Sequence, residues 1–180
     1  SIISYFFTVE VFKYEPTFDI PNVTGNSPIN IVIIILAGIL AGLLASLYSF
    51  FLTNKNLNFL NNFGSKNYLT PAYAGLICGI IAIKFPEVTG IGSETINDML
   101  NNRISLNLAL TFLILKLFLT TICIRMGLVG GIFAPALFLG ASLGVVSAGL
   151  AVIVSENINP YLVILSSMSA LGSCIIGGPI

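Results

Sequence analysis

A short run of two glycines, two apolar residues, an alanine and a proline is the strongest candidate for a binding site in this chain. The run is Gly130, Gly131, Ile132, Phe133, Ala134 and Pro135. Proline is tolerated in the first turn of a helix, because the N–H that it lacks has no intrahelical partner there. A helix that begins here would present unpaired N–H groups and the positive end of its dipole, and both attract an anion. The run therefore predicts an anion site built from backbone amides, above all those of Ile132 and Phe133.

The position of this run in the sequence admits two interpretations. It directly follows one long apolar segment and precedes another, where a bilayer would otherwise require an unbroken helix. Irregular backbone at that depth survives only where it is buried in protein or lines a cavity, which favours a binding site. Glycine and proline are also common in transmembrane helices, so a kink that serves packing alone explains the same residues. Spacing alone leaves both interpretations open.

Composition assigns the chain to the membrane. Of its 180 residues, 56% are hydrophobic and 8% are charged, and its mean hydropathy is +1.02, whereas about a quarter of the residues in ordinary soluble domains are charged. The net charge is zero and no basic stripe is present, which argues against a nucleic-acid partner. Histidine is absent, and no acid–base pair or cluster of metal-ligand residues stands out. We therefore predict no enzyme, no catalytic residues, no metal site and no cofactor.

Three charged residues are weighed as functional groups. Lys116 lies near the middle of an apolar segment, where an ammonium needs a cavity or a carbonyl or acidic partner. It either adds positive potential along an anion route or ties helix ends together. Glu94 and Asp98 are four residues apart on a short helix-like piece, so they share a face. A proton relay through Glu94 is the functional interpretation, and we prefer a solvated face or a cap.

The cysteines receive a structural interpretation. Cys78, Cys123 and Cys174 lie far apart in the sequence, within apolar segments. We interpret them as small buried hydrophobic residues rather than as metal ligands or disulfide partners. They therefore add no site to the prediction.

Apolar segments of helical length make up most of the chain. They are residues 29–53, 71–85, 104–126, 135–154 and 160–176, with a short helix-like piece that ends near residue 102. The first is long enough to span a bilayer with some tilt, and several others fall short of the roughly 20 residues that a full span needs. Gly140, Gly144 and Gly149 suggest two short helices within residues 135–154. Short apolar segments interrupted by glycine and proline are typical of the broken helices of transporters.

Two polar loops predict the orientation in the membrane. The loop at 15–28 carries two acidic residues and no basic one, and the loop at 54–70 carries two lysines and no acidic residue. By the positive-inside rule, the first faces outside and the second faces the cytoplasm. Residues 2–14 are apolar but too few to span unless the segment continues upstream. Because the chain begins without methionine and stops within an apolar stretch, we expect it to be truncated at both ends.

The sequence from Leu115 to Gly144, LKLFLTTICIRMGLVGGIFAPALFLGASLG, resembles the CLC family of voltage-gated-type chloride channels and proton–chloride antiporters. Gly131, Phe133 and Pro135 match the G-x-F-x-P motif of that family's anion filter. Two further stretches are similar to its membrane segments, TGIGSETINDML before the motif and SSMSALGSCIIGGPI after it. The resemblance therefore extends along most of the chain.

The resemblance implies an all-α integral membrane fold, a bundle of tilted, partly broken transmembrane helices arranged as two inverted halves. Residues 1–180 would be a partial domain, most of the second half, and its partners would be the missing first half and a second copy in a homodimer. Ile132 and Phe133 would supply amides to the central site, where chloride binds as substrate. The gating glutamate of the family and the tyrosine of its last helix match no residue of this sequence.

These observations together predict transmembrane passage of chloride or a similar small anion, by a channel or by a proton-coupled antiporter. The site would be formed by residues 130–135, with Lys116 as electrostatic support. We expect a multi-pass protein in the lipid bilayer of a bacterial-type inner membrane. One alternative is a non-transporting membrane scaffold whose glycine faces serve packing and dimerisation. Another is a carrier of a different anionic solute.

Overall fold

The computed structural model describes residues 28–53, 69–128, 130–154 and 158–177. Within these ranges its regular structure is entirely helical, with six α-helices and one 3₁₀ turn. In chain order they are α1 (Pro28–Thr53), α2 (Thr70–Lys84), the 3₁₀ turn Pro86–Val88, α3 (Ser93–Leu100), α4 (Leu106–Arg125), α5 (Phe133–Val154) and α6 (Pro160–Ile176). The predicted all-α fold is confirmed. The segment predicted at 2–14, and almost all of the polar loops from which the orientation was predicted, lie outside the described residues.

Prolines mark where several of these helices begin. Pro71 and Pro160 each stand in the first positions of their helices, α2 and α6. The fixed φ of proline suits the first turn, and the missing N–H costs no helical hydrogen bond there. At the start of α6 the side chain of Asn159 also accepts a hydrogen bond from the amide of Tyr161, at 3.2 Å. Gly177 ends α6 in the left-handed conformation, with φ of 69°. Local sequence therefore sets these boundaries.

Among the described residues, three helices are long and apolar enough to cross a membrane. They comprise Ile29–Thr53, Leu106–Arg125 and Phe133–Ile153. Two further apolar helices, α2 and α6, are shorter than a full span. The predicted mixture of full-length and short membrane helices is confirmed by these lengths.

Helix α5 lies at the centre of the described structure. It packs against α6, α4, α1 and α3. Phe138 and Ala141 of α5 are fully buried in one hydrophobic cluster with α3, α4 and α6, and Ala136 and Leu139 in a second cluster with α1, α4 and α6. Helix α5 thus buries apolar residues on more than one face, whereas Leu150 and Ile153 near its end are exposed. The beginning of α5 is therefore fixed by neighbours on several sides.

The suggestion of two short helices within residues 135–154 is wrong, because α5 is continuous from Phe133 to Val154. The glycines there bring helices together rather than divide the helix. A Cβ atom added to Gly140 would lie 2.6 Å from Cα of Met168, and one added to Gly144 would overlap the backbone of Ile164. Gly149 similarly faces the side chain of Leu106. Small residues at such positions allow membrane helices to pack with their backbones in close contact.

The outer face of α1 is broadly apolar. Ile31, Ile35 and Leu43 are each more than half exposed, and they belong to a row of similar side chains along the helix. A soluble monomer rarely exposes so large an apolar surface, whereas the hydrocarbon of a bilayer accommodates it. The chain is therefore part of an integral membrane protein. That residues 1–180 are one partial domain stays a prediction.

Candidate anion site

The predicted glycine-rich run lies at the beginning of α5. The helix starts at Phe133, and Pro135 is its third residue, within the first turn. The amide of Ala136 donates a hydrogen bond to the carbonyl of Ile132 at 3.2 Å, which closes that turn. The first N–H groups of a helix lack intrahelical acceptors, and the helix dipole adds partial positive charge at the same end. The predicted helix start is confirmed, and it has the two backbone properties that attract an anion.

A cleft of about 240 Å³ lies beside this helix start. Gly130, Gly131 and Pro135 form part of its wall, and Lys116 of α4 lies in the same wall. The side chains of Ile132 and Phe133 are 40% and 46% exposed, and neither residue lines this cleft. The structure therefore brings three residues of the predicted run together with Lys116, and it places the apolar side chains of the run outside the cleft.

Lys116 is buried, and its ammonium is held by backbone carbonyls. Its Nζ atom donates to the carbonyl of Val88 at 2.8 Å and to the carbonyl of Gly90 at 2.7 Å. It also lies 4.8 Å from the centre of the Phe138 ring, within the range of a cation–π interaction. Of the two roles predicted for Lys116, these contacts favour the tether, which here joins the middle of α4 to the 3₁₀ turn and the loop that follows it. Because Lys116 also lines the cleft, its positive charge lies near the start of α5.

The ring of Phe138 connects this tether to the start of α3. A Cβ atom added to Gly92 would lie 2.5 Å from Cδ2 of Phe138, so only glycine leaves room for the ring. Gly92 also has a φ of 73°, in the left-handed region that glycine adopts without strain. Lys116 and Gly92 therefore contact Phe138, which lies one and a half turns after Phe133 on α5. Through these contacts α3, α4 and the loop 88–92 position the beginning of α5.

The whole chain, residues 1–180, matches the family described as voltage gated chloride channel. It belongs to this family. The resemblance read from the G-x-F-x-P motif is thus confirmed, and Gly131, Phe133 and Pro135 lie where the motif predicts, at the start of a helix.

Relatives within the CLC family include channels and exchangers. The chain is 30% identical to chloride channel protein CLC-f of Arabidopsis thaliana over 142 residues, 76% of this chain and 18% of the relative. It is 30% identical to chloride channel protein CLC-e of the same plant over 169 residues, 88% of this chain and 24% of the relative. It is 34% identical to the H(+)/Cl(-) exchange transporter ClcA of Vibrio vulnificus (strain YJ016) over 118 residues, 64% of this chain and 25% of the relative. The matched segment thus spans a quarter or less of each of these relatives.

The acidic residues of α3 lie away from the cleft of this CLC chain. Glu94 is exposed in the first turn of α3. Asp98 forms an exposed ion pair with Arg103, with 3.3 Å between Oδ1 and Nη1. Neither residue lines the cleft. The preferred interpretation of Glu94 and Asp98 as a solvated face is confirmed by this geometry.

The cysteines depart from their predicted role. Cys78 of α2 and Cys123 of α4 are only partly buried, and their sulfur atoms lie 3.1 Å apart. Both line the cleft, whereas Cys174 is exposed on α6. The prediction of buried cysteines is therefore wrong, and the packing of α2 on α4 brings together two residues that are 45 positions apart. Among the described residues, no group of three or more His, Cys, Asp or Glu side chains is placed to hold a metal ion.

Proposed function

We propose that this chain contributes the second part of a pathway through which chloride, or a similar small anion, crosses the membrane. The observation that supports the proposal is the start of α5 beside the cleft. Gly130, Gly131 and Pro135 bring the positive end of a helix to a cavity wall that also carries Lys116. Fixed backbone dipoles stabilise an anion strongly in surroundings of low dielectric constant, and they need no reorganisation when the ion arrives.

Within this proposal, N–H groups of residues 130–134 bind the anion, since Pro135 has none. We assign the largest contribution to the amides of Ile132 and Phe133, which directly follow Gly131, a residue of the cleft wall. Apolar side chains suit this role because the main chain makes the contacts. Lys116 contributes through long-range positive potential, since two of its donors already bind carbonyls. Chloride is then the substrate, and no cofactor takes part.

The mode of transport follows from neither the motif nor the cleft. The relatives include proteins named chloride channels and one named an exchange transporter. We therefore propose either a channel or a proton-coupled antiporter. Membership of the CLC family favours transport over an enzymatic reaction. The proposal also includes a homodimer, a complementary first half of the membrane domain and a bacterial inner membrane as the location. These three parts rest on the resemblance alone.

Chloride efflux from liposomes that contain the full-length parent tests the proposal, with internal pH recorded at the same time. Phe133→Ala keeps the amide of residue 133 and removes its ring, whereas Phe133→Pro removes the amide at a position where proline fits a helix start. A hydrogen bond to a charged group contributes about 1.5–3 kcal/mol, so we expect Phe133→Pro to slow efflux by about tenfold or more. Phe133→Ala should slow it less. Phe118→Ala on α4, where the ring is similarly exposed, is the control and should leave efflux unchanged.

The outcomes separate the candidate functions. Chloride release with uphill proton movement identifies an antiporter, and release without proton movement identifies a channel. Normal efflux from both Phe133 variants would refute the assignment of the anion site. A folded parent that moves no chloride would favour another anion or the scaffold, for which variants of Phe133 or Gly131 alter assembly but not anion passage.

A further inference from the structure

The pair formed by Cys78 and Cys123 has no role in the anion site described above. The two residues lie on different helices, α2 and α4, with their sulfur atoms 3.1 Å apart. A disulfide bond needs about 2.05 Å between the sulfur atoms, so an approach of about 1 Å joins them. Two thiols that face each other across a contact between helices are positioned to form a disulfide bond with each other.

Both thiols are accessible from the cleft. Cys78 and Cys123 line it, and each is only partly buried. Accessibility and a second thiol beside the first are two of the features that redox-sensitive cysteines share. Metal binding is the less suitable use of this pair, because the described residues supply no third ligand. The geometry thus favours oxidation of the pair over coordination.

We propose that Cys78 and Cys123 form a reversible disulfide bond between α2 and α4. The oxidant is a low-molecular-weight disulfide, R–S–S–R. One cysteine thiolate attacks it, forms a mixed disulfide and releases R–S⁻. The second cysteine thiolate then attacks the protein sulfur of the mixed disulfide, forms the Cys78–Cys123 bond and releases another R–S⁻. Each released thiolate takes up one of the two cysteine protons, so the protein loses two electrons and the oxidant is reduced to two thiols, R–SH.

The bond would act on the wall of the cleft. Cys123 lies seven residues after Lys116 on α4, two turns along one face of the helix. Helix α2 ends at Lys84 and leads directly into the loop whose carbonyls, at Val88 and Gly90, hold the Lys116 ammonium. Fixing α2 on α4 therefore fixes both partners of that tether. If the cleft conducts anions as proposed above, oxidation also slows chloride passage, by about fivefold at the lower end of typical coupling between sites.

The test uses the full-length parent, purified in reductant and then exposed to 2-hydroxyethyl disulfide, which is small and uncharged. Free thiols are alkylated, the protein is digested, and peptides are identified by mass spectrometry. We expect one peptide pair linked through Cys78 and Cys123, with the loss of the free thiol at both of these positions, and full reversal by dithiothreitol. Cys174→Ser, the matched control, should leave the linked pair in place. Cys78→Ser should abolish it and leave Cys123 free or as a mixed disulfide.

Recovery of Cys78 and Cys123 only as free thiols or as separate mixed disulfides, in protein that is folded by circular dichroism, overturns the proposal. Chloride efflux of the oxidised and reduced forms is measured in parallel. A linked pair with unchanged efflux overturns the coupling to the cleft. Absence of efflux from the reduced parent contradicts the proposed function instead, and the linked peptide still decides the disulfide.

Discussion

Close packing of α5 on α6 gives a prediction whose size follows from the coordinates. At Gly140 an added Cβ would lie 2.6 Å from Cα of Met168 and 2.9 Å from the carbonyl oxygen of Ser167. Carbon atoms in contact are normally about 3.5–4.0 Å apart. The Cβ that Gly140→Ala adds would therefore overlap the backbone of α6 by about 1 Å. Backbone atoms cannot turn away as a side chain does, and α6 must therefore move away from α5.

Two opposing terms set the expected cost of Gly140→Ala. Overpacking in a dense interior typically costs about 1–3 kcal/mol. Alanine is favoured over glycine within a helix by up to about 1 kcal/mol, which offsets part of that cost. We therefore expect a net destabilisation of about 1–2 kcal/mol.

Two further glycines complete a graded series. A Cβ added to Gly149 would meet only side-chain atoms of Leu106, and the one at overlap distance is Cδ1, at 2.7 Å, a flexible tip that can rotate away. Gly42 on α1 has no described atom within 4 Å of an added Cβ, so Gly42→Ala should stabilise the protein by up to about 1 kcal/mol. The expected order of stability is Gly42→Ala first, Gly149→Ala second and Gly140→Ala last.

The free energy of unfolding of the full-length parent in mixed micelles measures this series, with denaturant titrations followed by circular dichroism. The informative quantity is the difference in stability between Gly140→Ala and Gly42→Ala, which should be about 1–3 kcal/mol. Equal stability of these two variants would refute the backbone contact between α5 and α6.

Two other substitutions test buried polar groups. Lys116→Met removes the donor of the buried Val88 carbonyl, so the free energy of unfolding should fall by about 1–3 kcal/mol. The control, Lys84→Met at an exposed position, should change the free energy of unfolding by less than about 0.5 kcal/mol. Equal effects of the two substitutions in thermal unfolding would show that the tether contributes nothing to stability. Tyr48→Phe should be neutral or stabilising by up to about 1 kcal/mol, because the buried Tyr48 hydroxyl has no hydrogen-bond partner among the described residues. A loss of stability in Tyr48→Phe, measured in the same way, would contradict that picture.

Much of the candidate site was predictable from local sequence. Pro135 two residues after Phe133, with glycines before it, predicts the start of a helix, and α5 begins there. The rule is local because it depends on the fixed φ and missing N–H of a single residue. The apolar segment predicted at 160–176 coincides with α6, which begins at Pro160. Membrane residence likewise follows from composition, since transfer of apolar side chains into hydrocarbon depends on their chemistry rather than on their neighbours.

The tertiary structure decided what the local rules left open. The sequence suggested a break at the glycines of α5, whereas the helix is continuous and the closeness of Gly140 to Met168 shows that the glycine serves packing. Lys116 needed a partner of unspecified kind, and the fold supplies the carbonyls of Val88 and Gly90, which lie 28 and 26 residues earlier in the chain. No local pattern identifies such partners, because a carbonyl is present in every residue.

The sequence by itself thus determined where helices begin, that they are apolar enough for a membrane, and which of them carries the G-x-F-x-P motif. Only the tertiary structure decided which residues share the cleft, and it joined Cys78 to Cys123 across 45 positions. The physical reason is the distance along the chain over which each kind of interaction acts. Helix formation depends on backbone geometry and hydrogen bonds within a few residues, whereas a cleft wall depends on how separate helices pack. That packing is set by side-chain volumes over the whole structure.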